Sequence, residues 1–322
     1  MSLIFTIMLS GCVRQSEFSG IGGLTTTTAT TTPTTAFVTT TTQSQLPSSK
    51  LLSWTKESEI RVAGGISSCT IYRDGKYWMY YTGGDISLVT SGDGINFVDY
   101  GSVIRPESAD EMVTNPAVIQ LSDGRWRMFY ERSIHGDGGQ SDRKIYSAVS
   151  NDGLSWTKES GIRFWDYGDG KPGEIFTSVP DVIRLADGRL RMYYTRGMAS
   201  AVAVSSDEGL TWTKEQNLDL GEGRIAVDPD IIKLDDGTYK LFYTAFESQW
   251  SVGPQFMKSA SSADGLNFVV DSGKRVEPAN ANGLVTDPDV VKLPGGGYRM
   301  YYGEFDSPEN MQSSIKSAIP AS

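Results

Sequence analysis

Several residue types are scarce in this chain of 322 residues. It has one histidine and two cysteines, which leaves little room for a Cys/His zinc site or for catalysis by a Cys–His pair. Basic residues are also scarce, because 29 Lys and Arg stand against 39 Asp and Glu, a net charge of −10. This balance excludes the basic surface that a nucleic-acid-binding protein needs. Apolar runs stay below the roughly eighteen residues of a membrane span, so no transmembrane helix is predicted.

What the chain does contain indicates a folded protein with many turns. Hydrophobic residues make up 39% and aromatic residues 11%, enough for a packed core, and there are 35 glycines. The first fifty residues differ from this composition. Residues 25–42 are almost all threonine, which favours an extended tether over a packed structure.

The N-terminus carries a targeting pattern. Residues 3–9 form a short apolar run, and the Leu9-Ser10-Gly11-Cys12 that ends it resembles the lipobox of prokaryotic lipoproteins, whose cysteine is lipidated. The alternative is that Cys12 is incidental to a longer signal. The predicted organisation is a signal peptide at 1–11, a lipid-anchored Thr-rich linker at 12–50 and a folded domain at 51–322. We expect an extracellular, cell-surface monomer that meets the membrane through its lipid anchor only.

The folded domain repeats one sequence phrase five times. Each copy has an apolar segment, a turn with glycine and a second segment ending in aromatic residues, as in VPDVIRLADGRLRMYY at 179–194. A second phrase, an Asp-Gly turn before an aromatic residue, follows four copies and is the strongest short-range hairpin signal. Two hairpins per repeat predict four strands. We therefore expect an all-β, five-bladed β-propeller with four antiparallel strands per blade.

Two further features of the repeat bear on its structure. The turn at 205–212 (SSDEGLTW) resembles an Asp-box, and the aspartates of all four such turns are expected to cap backbone N–H groups rather than act in catalysis. The last repeat lacks its final strand, but LSWTKESEI at 52–60 matches LSWTKESGI at 154–162. The N-terminal segment is therefore predicted to complete the last blade, with Trp54 as the fifth member of the aromatic series.

A five-bladed propeller with Asp-Pro at its inner-strand starts, as in DPDVVKLPGGGYRMYY at 287–302, resembles glycoside hydrolase families 32 and 43. The resemblance implies a carbohydrate-active protein with three acids at the inner-strand starts of the first three blades. Those positions fall on Ile66, Asn115 and Ser178, which supply no carboxylate for acid–base chemistry. The protein is thus either a hydrolase with displaced acids or a non-catalytic glycan-binding module, and a surface-layer repeat protein is a third hypothesis.

Carboxylates remain at the strand starts of the later blades, as Asp181, Asp228-Pro-Asp230 and Asp287-Pro-Asp289. A spacing of two puts both acids of a pair on one side of a strand. Three interpretations stay open: a calcium site, since hard oxygen ligands suit this ion, a displaced acid–base pair, or caps of strand-entry turns.

For a hydrolase, the candidate axial pair is Asp228 and Asp287, with Glu131 or Glu174 as proton donor. Calcium is the one cofactor considered, with Asp230 and Asp289 as candidate ligands, and the expected partner is a glycan. The candidate substrate-binding residues are Asn115, Arg132, His135, Trp165, Asp181, Arg196, Glu247, Trp250 and Glu304. Cys69 is expected to be a small buried apolar residue.

Overall fold

The computed structural model describes residues 51–134, 143–166, 176–220, 225–246, 254–281, 283–306 and 312–321. These residues form five antiparallel sheets arranged as the blades of a propeller. Two short strands come first, β1 (Trp54–Lys56) and β2 (Val62–Ala63). Blade I comprises β3 (Ile66–Arg73), β4 (Lys76–Thr82), β5 (Ile86–Ser91) and β6 (Val98–Ile104). Blade II comprises β7 (Glu111–Gln120), β8 (Trp126–Ile134), β9 (Lys144–Ser150) and β10 (Thr157–Lys158).

The remaining blades repeat this order. Blade III comprises β11 (Thr177–Arg184), β12 (Leu190–Arg196), β13 (Ala199–Ser205) and β14 (Thr213–Asn217). Blade IV comprises β15 (Ala226–Lys233), β16 (Tyr239–Phe246), β17 (Gln255–Ser262) and β18 (Val269–Val270). Blade V comprises β19 (Leu284–Lys292), β20 (Tyr298–Phe305) and β21 (Ser313–Pro320), to which β1 and β2 are added. The predicted fold is confirmed. Within the described residues, no helix is long and apolar enough to cross a membrane.

The first strands of the blades form the inner ring. In chain order β3, β7, β11, β15 and β19 contact one another, and β19 also contacts β3, so the ring closes. The second strands are buried on both faces, which explains why their sequences show no polar–apolar alternation. In β16, for example, all eight residues are buried.

Neighbouring blades pack through apolar clusters and one aromatic pair at each junction. The aromatic residue of each outer hairpin turn meets, edge to face, an aromatic residue on the second strand of the preceding blade. The pairs are Phe97–Tyr301, Trp156–Tyr80, Trp212–Phe129, Phe268–Tyr193 and Trp54–Phe242, with ring centroids 5.4 to 6.3 Å apart. Trp54 is therefore the fifth member of the series, as predicted.

The ring is closed by the N-terminal segment. Strand β1 pairs antiparallel with β21, with Trp54 opposite Pro320. Glu57 follows β1 and receives two hydrogen bonds from Arg299, at 3.0 and 3.2 Å, and one from Ser317 at 2.6 Å. These contacts join the two ends of the domain.

The aspartates of the outer turns cap backbone groups, as expected. Asp93 accepts hydrogen bonds from the N–H groups of Ile95 and Asn96 at 2.9 and 2.8 Å. Asp152 does the same with the N–H groups two and three residues further on. These aspartates have a structural role and lie outside the candidate site.

Candidate functional site

Each inner strand is broken at the same point by a two-residue bulge, where its register with the second strand shifts. The first bulge residue has a left-handed backbone, with φ between 42° and 54°: Ser67, Asn115, Val179, Asp228 and Asp287. Proline follows in four blades, because a bulge tolerates a residue without an N–H donor. A β-branched residue such as Val179 is strained at this φ. Its neighbours therefore hold the bulge in place.

A cavity of about 40 Å³ lies on the axis and is lined by inner-strand residues of all five blades. This volume holds roughly one to three water molecules or one ion. The bulge residues of blades I, II, III and V lie in its wall. A larger ligand therefore has to bind over the mouth of the cavity rather than inside it.

Two residues after the bulge position, three aspartates each link their own blade to the next one. An Oδ atom of Asp181 accepts the Ile231 N–H at 2.8 Å, and Asp230 accepts the Val290 N–H at 3.2 Å. Asp289 accepts the N–H and the hydroxyl of Thr70 at 3.1 and 2.6 Å. In blade I, Cys69 fills this repeat position, and its sulfur accepts the Val118 N–H at 3.2 Å. Cys69 is thus half-buried with a hydrogen-bonding role, beyond the apolar role predicted for it.

These links bear on the calcium prediction for Asp230 and Asp289. Burial, followed by repulsion from other aspartates, raises the pKa of Asp181 to about 6 and that of Asp230 well above its ordinary value. Burial also raises the pKa of Asp289. Among the described residues, no group of three or more His, Cys, Asp or Glu side chains is arranged to hold a metal ion. The contacts of these aspartates match the capping alternative, and the calcium site stays a prediction.

At the bulges of blades IV and V, Asp228 and Asp287 share one hydroxyl group. Thr286 Oγ1 lies 2.9 Å from Asp228 Oδ2 and 3.1 Å from Asp287 Oδ2. A hydroxyl has one proton to donate, so the second contact is satisfied when one of the acids is itself protonated. Burial raises the pKa of both acids, and the charge of Asp228 raises that of Asp287 further. The pair therefore shares a proton more readily than two exposed acids do.

A third carboxylate joins these two from a second strand. Glu131, on β8, is 2% exposed. It accepts hydrogen bonds from Asn115 Nδ2 at 2.9 Å and from the Ser178 hydroxyl, and Arg143 Nε lies 3.6 Å away. Its charge contributes to raising the pKa of Asp228 and Asp287. Glu131, Asp228 and Asp287 thus form one electrostatic group drawn from blades II, IV and V.

Comparison with known proteins gives structural matches only. No family model matches the chain, and no curated protein matches it. A thermostable family-43 glycoside hydrolase superposes with a TM-score of 0.64 at 16% identity, over 82% of this chain and 92% of that one. An endo-arabinase from Bacteroides thetaiotaomicron superposes with a TM-score of 0.58 at 14% identity, over 82% of this chain and 98% of that one. A Cellvibrio cellulosa α-L-arabinanase complexed with arabinohexaose superposes with a TM-score of 0.60 at 13% identity, over 80% of this chain and 92% of that one. The chain has the fold of family 43 glycoside hydrolases.

The bulges locate the three positions at which the sequence resemblance implied acids. The residue of blade I that corresponds to Asn115 is Ser67 and not Ile66, because the bulge and its left-handed φ fall on Ser67. In blade III the bulge residue is Val179, directly after Ser178. Blades I to III therefore present no inner-strand carboxylate at their bulges.

Of the residues proposed for substrate binding, several are engaged in contacts away from the mouth. Arg132 Nε donates to the buried Glu111 at 2.7 Å. Arg196 Nε lies 2.9 Å from the buried Asp166. These two arginines form internal ion pairs, so the structure does not bring them to the acids. A guanidinium held by a buried carboxylate is not available to a ligand without breaking that pair.

Two other candidates are also held by neighbouring cations. Glu304 lies 3.1 Å from both Lys56 and Lys316, and it accepts the Ala279 N–H at 2.7 Å. Trp165 is half-buried, with Lys144 Nζ 4.4 Å from its ring centroid. The remaining candidates lie outside the described residues: Cys12, His135, Glu174, Glu247 and Trp250.

Sequence reasoning missed one residue of this group. Thr286, which bridges Asp228 and Asp287, gave no signal beyond its place before Asp-Pro. It could be found only by seeing which side chains converge. Arg143, 3.6 Å from Glu131, also packs its guanidinium 5.2 Å from the Phe176 ring centroid.

Proposed function

We propose that this protein binds a glycan over the axial mouth and hydrolyses it, with Glu131, Asp228 and Asp287 as its acids. The observation that carries the proposal is a group of three carboxylates from three blades, two of them buried and one half-buried, that influence one another beside the axial cavity, whose wall includes Asp287. Buried, mutually repelling acids are typical of acid–base sites, because their environments separate the protonated from the ionised group. The family 43 fold supports a carbohydrate as the substrate.

The environments suggest roles for two of the three acids. Asp287 is 8% exposed, and burial and the charge of Asp228 raise its pKa well above the ordinary value. A protonated Asp287 suits the proton donor of glycoside hydrolysis. Glu131 accepts hydrogen bonds from Asn115 and Ser178, which suits the opposing carboxylate. This assignment reverses the roles expected from the sequence for Glu131 and Asp287.

The test is Asp287→Asn and Asp228→Asn, each assayed separately for cleavage and for binding on plant, algal and microbial glycans that include arabinan. Removing a general acid or base typically costs 10²- to 10⁴-fold in rate, so we expect kcat to fall by about that factor while binding is kept. Asp123→Asn is the matched control, because Asp123 pairs with Arg125 at an exposed turn. Equal activity in Asp287→Asn and the control would refute the assignment.

The second candidate function is a non-catalytic glycan-binding propeller. It is favoured by the bulges of blades I to III, where Ser67, Asn115 and Val179 carry no acid. A parent protein that binds a glycan and cleaves nothing on the panel would establish this function instead.

We also propose that the protein is a monomeric lipoprotein of the cell surface, attached through Cys12 and held off by the Thr-rich linker, with no nucleic-acid partner. The support is the lipobox-like Leu9-Ser10-Gly11-Cys12 after an apolar run. Cys12→Ser should move the protein from the membrane fraction to the soluble fraction with the melting temperature of the propeller unchanged. Unchanged membrane retention would exclude the anchor.

A further inference from the structure

One position of the repeat differs in blade II from the other blades. The residue after the aromatic pair of the second strand is Thr82, Glu131, Thr195, Thr244 and Gly303 in blades I to V. The threonines have a common role, because each Oγ1 accepts the N–H of the next bulge residue: Asn115, Asp228 and Asp287, at 2.9, 2.8 and 3.3 Å. In blade V a side chain at this point would crowd Thr286 and Ile66, since a Cβ on Gly303 would lie 3.0 and 3.3 Å from their methyl groups. Packing thus accounts for Gly303.

Glu131 has no such structural explanation. Threonine at this position would fit the repeat, whereas a buried carboxylate carries a large desolvation cost unless donors surround it. Those donors are present and come from three separate segments: Asn115 on β7, Ser178 on β11 and Arg143 just before β9. A costly group that departs from the repeat, together with a set of donors that hold it, is typical of a functional site.

The position of Asn115, one of the two inner-strand donors, relates Glu131 to the acids of blades IV and V. Asn115 stands at the bulge position where blades IV and V have Asp228 and Asp287, and all three share a φ of 52° to 54°. Its amide nitrogen lies 2.9 Å from a Glu131 oxygen. The carboxylate of Glu131 therefore lies within one hydrogen bond of the place that an aspartate at position 115 would fill.

Resting on the proposed function, we infer that Glu131 supplies from the second strand the acid that the inner strands of blades II and III lack, and that Asn115 and Ser178 are positioning residues that hold its carboxylate at the mouth. In blade II the acid is carried by the second strand instead of the first. The Asn115 amide and the Ser178 hydroxyl hold its carboxylate in the position where it acts. Glycan hydrolysis then uses carboxylates from blades II, IV and V.

The repeat itself supplies the decisive variants. Glu131→Thr installs the residue of blades I, III and IV, so the fold should be kept, while kcat should fall by about 10²- to 10⁴-fold. Adding Asn115→Asp to Glu131→Thr restores a carboxylate at a position whose φ already accepts Asp in blades IV and V. We expect the double variant to recover at least tenfold of the lost kcat. Glu159→Gln is the matched control, because Glu159 pairs with Arg127 at 2.8 Å beside the outer strand of the same blade.

Ser178→Ala tests positioning apart from stability. We expect kcat to fall about tenfold with KM nearly unchanged and the pH profile of kcat displaced, since the hydroxyl donates to Glu131 and otherwise accepts only the Asn115 amide at 3.4 Å. Ser178→Thr should restore the activity, because threonine occupies this repeat position in blades II and V, as Thr114 and Thr286. If Glu131→Thr does not fold, Glu131→Gln replaces it with a side chain of the same size.

Each outcome decides one of the two proposals. A parent that cleaves a glycan, with Glu131→Thr or Glu131→Gln as active as the control, overturns the assignment of Glu131 and leaves the hydrolase intact. Failure of the folded double variant to recover activity overturns the equivalence of positions 115 and 131. A parent that cleaves nothing overturns the hydrolase, and the acid role of Glu131 with it.

Discussion

The contribution of the closing strand can be measured by removing one side chain. Strand β1 is three residues long and pairs only with β21, so its attachment depends on side-chain contacts. Trp54 supplies the main one: its ring lies edge to face with Phe242 at 5.6 Å, and its Nε1 donates to the Leu51 carbonyl at 3.0 Å. Trp54→Ala removes both contacts while leaving the backbone pairing of β1 possible.

The expected magnitude follows from the burial of the ring. A tryptophan contributes about 150–250 Å² when fully buried, and Trp54 is half-buried, so roughly 100 Å² is lost. At about 25 cal/mol/Å² this is about 2.5 kcal/mol, and loss of the aromatic pair adds about 0.5–1.5 kcal/mol. The free energy of unfolding should fall by about 3 kcal/mol. For a domain of this size the melting temperature should drop by about 6–12 °C.

Hydrogen exchange distinguishes loss of closure from general loosening. In Trp54→Ala, amides of β21 that face β1 should exchange faster, because detachment of β1 leaves β21 as an open edge. Trp156→Ala is the matched control: its ring lies 5.7 Å from Tyr80 and its Nε1 donates to the Gly153 carbonyl at 3.1 Å. Trp156 is joined to its blade by the chain on both sides, so faster exchange should stay in blades I and II.

The reasoning is refuted if Trp54→Ala melts within about 2 °C of the parent and β21 keeps its protection. It is also refuted if Trp156→Ala speeds hydrogen exchange in β21 to the same extent. The whole propeller would then loosen, and the contacts of β1 would contribute no more to ring closure than those of another blade.

Two further predictions concern charged groups. Glu57→Gln should lower the free energy of unfolding by about 1–3 kcal/mol, because Arg299 is left without its carboxylate, whereas the exposed Glu107→Gln should change it by less than about 0.5 kcal/mol; equal effects in chemical denaturation would contradict this. Burial opposes ionisation of Glu57, but hydrogen bonds from Ser317 and Arg299 outweigh it and lower its pKa, so this stabilisation is lost as the pH falls through that lowered pKa. The contribution of Asp181 to stability depends on pH in the opposite direction. Because its pKa is raised to about 6, this contribution declines as the pH rises from about 4 to about 6. The difference in unfolding free energy between the parent and Asp181→Ala should therefore shrink over this range, and a constant difference would show that Asp181 titrates normally.

Much of the architecture was predictable because short sequence patterns encode it and recur from blade to blade. The glycine turns, the Asp-Gly hairpins and the aromatic residue after each of them recur along the chain, and each sets the backbone within a few residues of itself. The match between 52–60 and 154–162 was enough to predict that β1 completes the last blade. The capping role of Asp93 and Asp152 followed from turn chemistry alone.

The composition of the mouth was decided by the tertiary structure. Asp228 and Asp287 were identifiable from Asp-Pro, but their union with Glu131 joins strands about a hundred residues apart, and no local pattern encodes which side chains meet across the axis. For the same reason Arg132, Arg196 and Glu304 looked like ligand-binding residues in the sequence, while the structure pairs each of them with an oppositely charged side chain of the propeller. The sequence by itself determined the number of blades and the closure of the ring, since these follow from repeated short-range patterns. Only the tertiary structure decided which carboxylates share the mouth, because their burial and mutual repulsion arise from contacts between blades.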